Sequence, residues 1–465
     1  MATTFVISDL HLGGGYASGS IPAFRMMTQV PMLEAFIRQV AEKPDATLVI
    51  NGDFVDFLAE EHVGVGDRWR AFLDDPDLAR KTFQDVVRRD QPVFDALQRL
   101  RGRLHILLGN HDVELTLPGV REALQDAVGG AQLRYDGEAL VVGAAVIEHG
   151  NRADTSNQVD HAALVDVRAA LSRGEEPQKP FLAPFGSRFV AKVMNPLKTT
   201  WPWIDLLKPE GPALAALILA LDPGQKGRIL DLLRVATTRK GEPGPVSEGP
   251  LFFRGGMSAG GEPPASDDEL LAELLAGQVD VPPEAKPRGP LVFRSDMSAR
   301  GWVDLGALVL LGGDLPTRLR RARPAIQALR RDTTYDPSQE NKASYWKAAL
   351  ALARPTTRHP GFRHVLFGHT HLAREVPIED TVAGRPTRVG TYYNSGTWAN
   401  LMGFPRELFD PDEGTAKQAY DAFARRLETG DLADLIQFRP TYVRLDTDAQ
   451  GRNSGQTCLY DGRLV

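Results

Sequence analysis

The chain has 465 residues, 42% of them hydrophobic and 25% charged, a composition that excludes collagen-like, coiled-coil and wholly disordered chains and allows one elaborated domain or two. One cysteine, Cys458, excludes an internal disulfide and every cysteine-rich metal site, and fits a reducing cytoplasm. The net charge of −6 is unevenly spread: residues 173–240 hold eleven Lys/Arg against six Asp/Glu and residues 315–331 hold six Arg and no acid, together +11, so the remainder carries −17. Such a region reads either as a surface for an anionic partner or as a solvated helix face. No apolar run reaches the 18 or so residues of a membrane span, and the N-terminus lacks the basic and apolar regions of a signal peptide.

Over the first 150 residues short β-prone runs alternate with helical segments. The runs are Thr4 to Ser8, Thr47 to Asn51, Leu104 to Leu108 and Ala144 to Glu148. Met32, Leu33, Phe36, Ile37 and Val40 carry the 3.6 spacing of an amphipathic helix, with Pro31 at its start, and one long helical pattern fills Pro76 to Leu100. Strand patterns return at Arg363 to Phe367 and Thr391 to Asn394. This alternation predicts an α/β protein whose site lies beyond the strand ends.

Between residues 175 and 355 the pattern changes, and we expect an insertion dividing the core into 1–174 and 356–465. Pro177 to Pro212 mixes aromatics, Pro and Lys; Ala213 to Lys240 and Lys342 to Arg354 look helical; Gly241 to Gly301 holds nineteen Gly or Pro in 61 residues. Within it GPLFFRGGMSAGG from Gly249 nearly repeats as GPLVFRSDMSARG from Gly289, flanking an acidic helical stretch, Ser266 to Leu275. The insertion leaves after His149 and returns before His369, which predicts a mainly helical and loop-rich cap that governs access. Phe181, Phe185, Phe189, Trp201 and Trp203 could grip a lipid or nucleotide, or form the cap's own core.

Five clusters fall at strand ends: SDLHLG (Ser8 to Gly13), GDFVDF (Gly52 to Phe57), GNHD (Gly109 to Asp112), EHGN (Glu148 to Asn151) and FGHTH (Phe367 to His371). Asp, Asn and His without thiolate suit manganese, iron or zinc. In Asp9-Leu10-His11 and His369-Thr370-His371 an extended backbone would point residues i and i+2 the same way, toward one site.

This ordered set resembles the calcineurin-like metallophosphoesterase superfamily, whose signature is D-x-H, G-D-x-x-D, G-N-H-D/E, a lone His and G-H-x-H. The resemblance covers about 1–157 and 360–400 and implies a four-layer α-β-β-α sandwich with two divalent metal ions over the strand ends. It implies Asp9, His11 and His371 as ligands of the first metal, Asn110, His149 and His369 as ligands of the second, and Asp53 as the bridge. The implied reaction is hydrolysis of a phosphoester by a metal-bridging hydroxide, with His111 assisting the leaving group and either Asp56 or Asp112 orienting its imidazole.

Arg152 could bind a substrate phosphate or be an exposed arginine, and Asn394 to Trp398 resembles the turn that braces the G-H-x-H loop. GDFVDF lacks the Arg-Gly of the protein Ser/Thr phosphatases, and His111 stands where the UDP-diacylglucosamine pyrophosphohydrolases usually carry Arg. The expected substrate is therefore a phosphomonoester, phosphodiester or pyrophosphate on a small molecule, lipid or nucleotide, with peripheral membrane contact through the insertion compatible with that range. The basic insertion also admits nucleic acid and thus a nuclease, against which the acidic balance weighs. Because every position of the motif set is filled, an enzyme is favoured over a non-catalytic scaffold of the same fold.

Overall fold

The computed structural model describes residues 2–15, 24–62, 67–135, 137, 139–154, 156–207, 212–227, 313–327, 344–357, 359–382 and 384–465. They form two compact units: one of Met1–Leu206, Asp336–Leu401 and Gln437–Val465, the other of Leu207–Tyr335 and Met402–Ile436. Residues up to Leu206 pack within the first unit, and 402–436 belong to the second. Both repeated GPL segments and the stretch Ser266 to Leu275 lie outside the described residues.

In the first unit one sheet runs β13-β12-β1-β2-β3-β4, with β1 (Ala2–Ile7), β2 (Ala46–Asn51), β3 (Leu104–Leu107) and β4 (Gln132–Arg134) parallel. The hairpin β12 (Thr441–Thr447) and β13 (Asn453–Leu459) adds antiparallel beside β1. The second sheet runs β5-β6-β7-β9-β8: β6 (Ala145–Ile147), β7 (His364–Phe367) and β9 (Arg385–Asn394) are parallel, and β5 (Leu140–Val142) and β8 (Arg374–Val382) are antiparallel edges. Two-residue strands β10 (Leu401–Met402) and β11 (Ile436–Gln437) stand where the chain passes into and out of the 402–436 segment.

Side-chain alternation along the strands builds the layers. Phe5, Ile7, Leu48, Ile50, Leu104 and Ile106 pack against α1 (Val30–Ala41), α2 (Pro76–Arg89), α3 (Gln91–Gln98) and α4 (Val120–Val128). Their neighbours Val6, Val49 and Leu107 instead join Ile147, Leu366 and Tyr393 of the other sheet. Val146, Val365, Phe367 and Tyr392 face outward again, against Ala349 and Ala353 of the helix Ser344–Ala353. The expected α-β-β-α order follows from period-2 strands apolar on both faces. Each fully buried Val, Leu, Ile or Phe contributes about 1.5–3 kcal/mol.

The helical pattern over Pro76 to Leu100 breaks into α2 and α3 at Asp90, where φ is −110° and Pro92 follows. Proline lacks the N–H that a continuous helix would need there. After α4, α5 spans His161–Ser172, and the chain then runs through α6 (Phe185–Phe189), a π-helical turn (Val190–Met194) and α7 (Asn195–Lys198). Phe181 packs with Val113, Leu164 and Val167, and Trp203 is fully buried, so these two aromatics serve the unit's own core.

In the second unit α8 (Pro212–Leu221) ends before Pro223, and Arg318 of the helix Leu315–Arg321 donates from Nε to Ala220 O at 2.7 Å. Arg320 pairs with Asp421 at 2.9 Å and Arg323 donates to Asp410 O. Three arginines of the basic 315–331 stretch thus hold this unit together. No helix of the described residues is long and apolar enough to cross a membrane.

Candidate metal centre

The clusters follow the C-terminal ends of β1, β2, β3, β6 and β7, where open α/β sheets gather their sites. The expected extended geometry of the two x-H pairs is overturned. Asp9, His11, Asp53, His369 and His371 all have positive φ, between 46° and 69°, and Arg101 is the one other such non-glycine among the described residues. The strands stop at Ile7 and Phe367, and the ligand-type residues sit in left-handed turns beyond them, a strain typical of functional sites. The turns are over-determined by backbone bonds: Asp9 N donates to Gly52 O, His11 N to Asp53 O, and Leu12 N to Phe54 O.

The glycines of the motifs have a spatial cause. A Cβ on Gly109 would overlap Asp53 Oδ1, and one on Gly368 would crowd Ser8 and Asp9. Only a residue without a side chain lets two strand ends bring their polar groups this close.

Asp9, His11 and His371 place their donor atoms within 4.8 Å of one another, as do Asp53, His149 and His369. His11 Nε2 lies 3.2 Å from His371 Nε2, and His371 Nε2 lies 3.4 Å from Asp9 Oδ1. Asp53 Oδ2 stands between the groups, 3.8 Å from His11 Nε2 and 3.2 Å from His149 Nε2. His149 Nδ1 donates to Asn51 O at 2.7 Å, which turns Nε2 inward, where no hydrogen bond satisfies it. Asn110 Oδ1 is likewise buried without a partner. Orphaned lone pairs among anionic oxygens are what a divalent cation satisfies, so these residues fit a metal centre.

The carboxylates and imidazoles of the centre also set one another's charge. Burial would lower the His149 imidazole, but the Asp53 and Asp9 carboxylates outweigh it and push it up to about 10. Burial works against the Asp53 carboxylate too, yet His149 and His111 hold it well below the usual range. Asp9, fully buried beside Asp53, is raised.

His111 joins this centre through two contacts: its N–H donates to Asp53 Oδ1 at 2.9 Å, and its Nδ1 is 3.1 Å from Asp56 Oδ1. Asp112 accepts from Gly109 N and Phe54 N, each at 2.7 Å, so its two oxygens tie the Asn110 loop to the Asp53 loop. Arg152 is largely exposed and pairs with Glu148 at 3.3 Å. The turn after β9 braces the centre: Asn394 Nδ2 donates to Gly368 O at 2.6 Å and Thr397 Oγ1 to Asp9 O at 2.7 Å.

Sequence reasoning missed Asp154 and Asn157. Asp154 Oδ2 lies 3.3 Å from His369 Nε2, and burial notwithstanding, His369 and Asn157 hold its carboxyl below the ordinary value. Neither residue belongs to a recognisable motif.

No curated protein matches the chain. The family model of the calcineurin-like phosphoesterases matches residues 2–182, the span that supplies Asp9, His11, Asp53, Asn110, His111 and His149. This family carries out metal-dependent phosphoester hydrolysis, and the His and Asp groups gathered here could bind the metal. By that match, residues 2–182 of the chain are similar to the calcineurin-like phosphoesterases.

Proposed function

We propose that this protein hydrolyses a phosphomonoester, phosphodiester or pyrophosphate with two divalent transition-metal ions, manganese, iron or zinc. Asp9, His11 and His371 would hold one ion, Asn110, His149 and His369 the other, and Asp53 both. The observation that carries this reading is the position of the Asp53 carboxylate between two sets of converging donors. Bound ions supply Lewis-acid stabilisation of a phosphoryl group and a nucleophile at neutral pH.

The remaining chemistry falls to side chains. His111, with Nδ1 directed at Asp56, presents Nε2 to donate a proton to the departing oxygen. Burial disfavours the Asp56 anion, but His111 and His11 hold its carboxyl well below the usual range, so it stays charged and anchors the imidazole. Selection among phosphoesters is assigned to the chain inserted between His149 and His369, and the buried Cys458 suits a reducing cytoplasm.

Elemental analysis of protein refolded with Mn²⁺, together with a hydrolysis panel of phosphomonoesters, diesters, pyrophosphates and nucleic acids, tests this reading. Two ions per chain and metal-dependent turnover of at least one class are expected. Metal content near zero with no turnover would leave a scaffold of the same fold.

A further inference from the structure

We infer that Asp154 and Asn157, in the loop after His149, are positioning residues that set the ligating atoms of the second metal position. The inference rests on the dinuclear reading above. A carboxylate only accepts hydrogen bonds, whereas an amide has one accepting and one donating end. Asp154 Oδ1 accepts from Ser156 N at 2.9 Å, and Oδ2 faces Asn157 Nδ2 at 2.8 Å and His369 Nε2 at 3.3 Å.

Two consequences follow from this one acceptor. Asn157 must point its nitrogen at Asp154, so its Oδ1 meets Asn110 Nδ2 at 3.3 Å. That fixes the Asn110 amide with Oδ1, the one atom of that group able to bind a cation, as the buried end without a protein partner. At the other contact, a proton on His369 Nε2 donated to Asp154 leaves the lone pair on Nδ1. One carboxylate thereby sets both an amide orientation and an imidazole tautomer, on ligands that come from different strands.

The brace is held from outside. Asn151 Nδ2 donates to Asn157 O at 2.9 Å, Gly186 N to Ser156 O at 2.7 Å, and Ser187 Oγ to Asn110 O at 3.2 Å. Gly186 lies so close that a Cβ there would overlap the Asn157 amide oxygen. The start of α6 is thus built around the orientation of Asn157.

The test is Mn²⁺ titration of metal-free protein by calorimetry, with electron paramagnetic resonance of the loaded samples, on wild type, Asn157→Leu, Asp154→Asn, Gly186→Ala and Gln158→Ala. Gln158 is an exposed neighbour and serves as the control. Wild type should bind two ions and show an exchange-coupled spectrum. Asn157→Leu and Gly186→Ala should weaken one of the two ions about 10–100-fold and give the six-line spectrum of a lone Mn²⁺, with Gln158→Ala unchanged. Asp154→Asn, nearly isosteric, should do the same and melts cooperatively even if a bulkier change does not. Two ions at unchanged affinity in Asp154→Asn, or equal weakening of both ions, would overturn the inference. Failure of wild type to bind any ion would instead overturn the dinuclear reading.

Discussion

One carboxylate, Asp56, holds two imidazoles: its Oδ2 is 3.1 Å from His11 Nδ1 and its Oδ1 is 3.1 Å from His111 Nδ1. A residue of the proposed first metal position and the proposed proton donor therefore share one anchor. His11 and His111 also meet ring to ring, with centroids 4.8 Å apart.

Removing either end of this arrangement should have separable effects. His111→Ala is expected to keep the metal content and cut turnover about 10²–10⁴-fold on alkyl phosphates, with a smaller loss on aryl phosphates whose leaving groups need little protonation. Asp56→Asn should lose turnover in the same pattern and also bind metal more weakly, because His11 loses its anchor. Paired kinetics and elemental analysis check both; an equal loss on alkyl and aryl substrates would remove the proton-donor role from His111.

Asp53→Asn is expected to weaken both ions, whereas His371→Ala should chiefly weaken one. A neutral amide cannot supply the negative charge that two cations in close approach require. Metal titration distinguishes the two outcomes, and an Asp53→Asn protein that still binds two ions tightly would rule out the bridge.

Glu114, fully buried behind the centre, is raised by burial from 4.5 to about 8 and accepts from Leu73 N at 2.9 Å. Between these values the folded chain keeps a proton that the unfolded chain has released. The group's contribution is therefore full below pH 4.5 and is lost as pH rises through 8. Glu114→Gln should flatten this dependence, raising stability at pH 9 by a few kcal/mol at most and leaving pH 4 unchanged. Denaturant melts at the two pH values read this directly.

Lys198 and Asp205 form an ion pair buried on both sides. Lys198→Ala removes the cation paired with a buried carboxylate and should cost up to about 3–5 kcal/mol, while the double change Lys198→Met with Asp205→Leu should recover most of that loss. Equal melting temperatures for wild type and the single variant would show that the pair is solvated in solution.

The parallel strands β1, β2, β3, β6, β7 and β9 were legible because their apolar runs are local, and each falls on an expected run. The hairpin β12–β13 was not, since its pairing with β1 joins residues more than 400 positions apart. The split between α2 and α3 is visible only as Pro92 inside an otherwise continuous pattern. The basic stretch 315–331 was ambiguous in sequence, because composition cannot tell an arginine facing solvent from one that caps a neighbouring helix, as Arg318 does.

The sequence by itself determined the set of donors, because Asp, Asn and His directly after strands carry their chemistry in their side-chain types and are delivered to one edge by any parallel sheet. What only the tertiary structure decided is how those donors are aimed. The choice of Asp56 for the Nδ1 contact of His111, the left-handed turns at Asp9 and His369, and the brace of Asp154 and Asn157 depend on hydrogen bonds between loops distant in the chain; Asp154 and His369 lie 215 residues apart. Such bonds have angular requirements that spacing along a chain does not encode, and they exist only once the two sheets have packed.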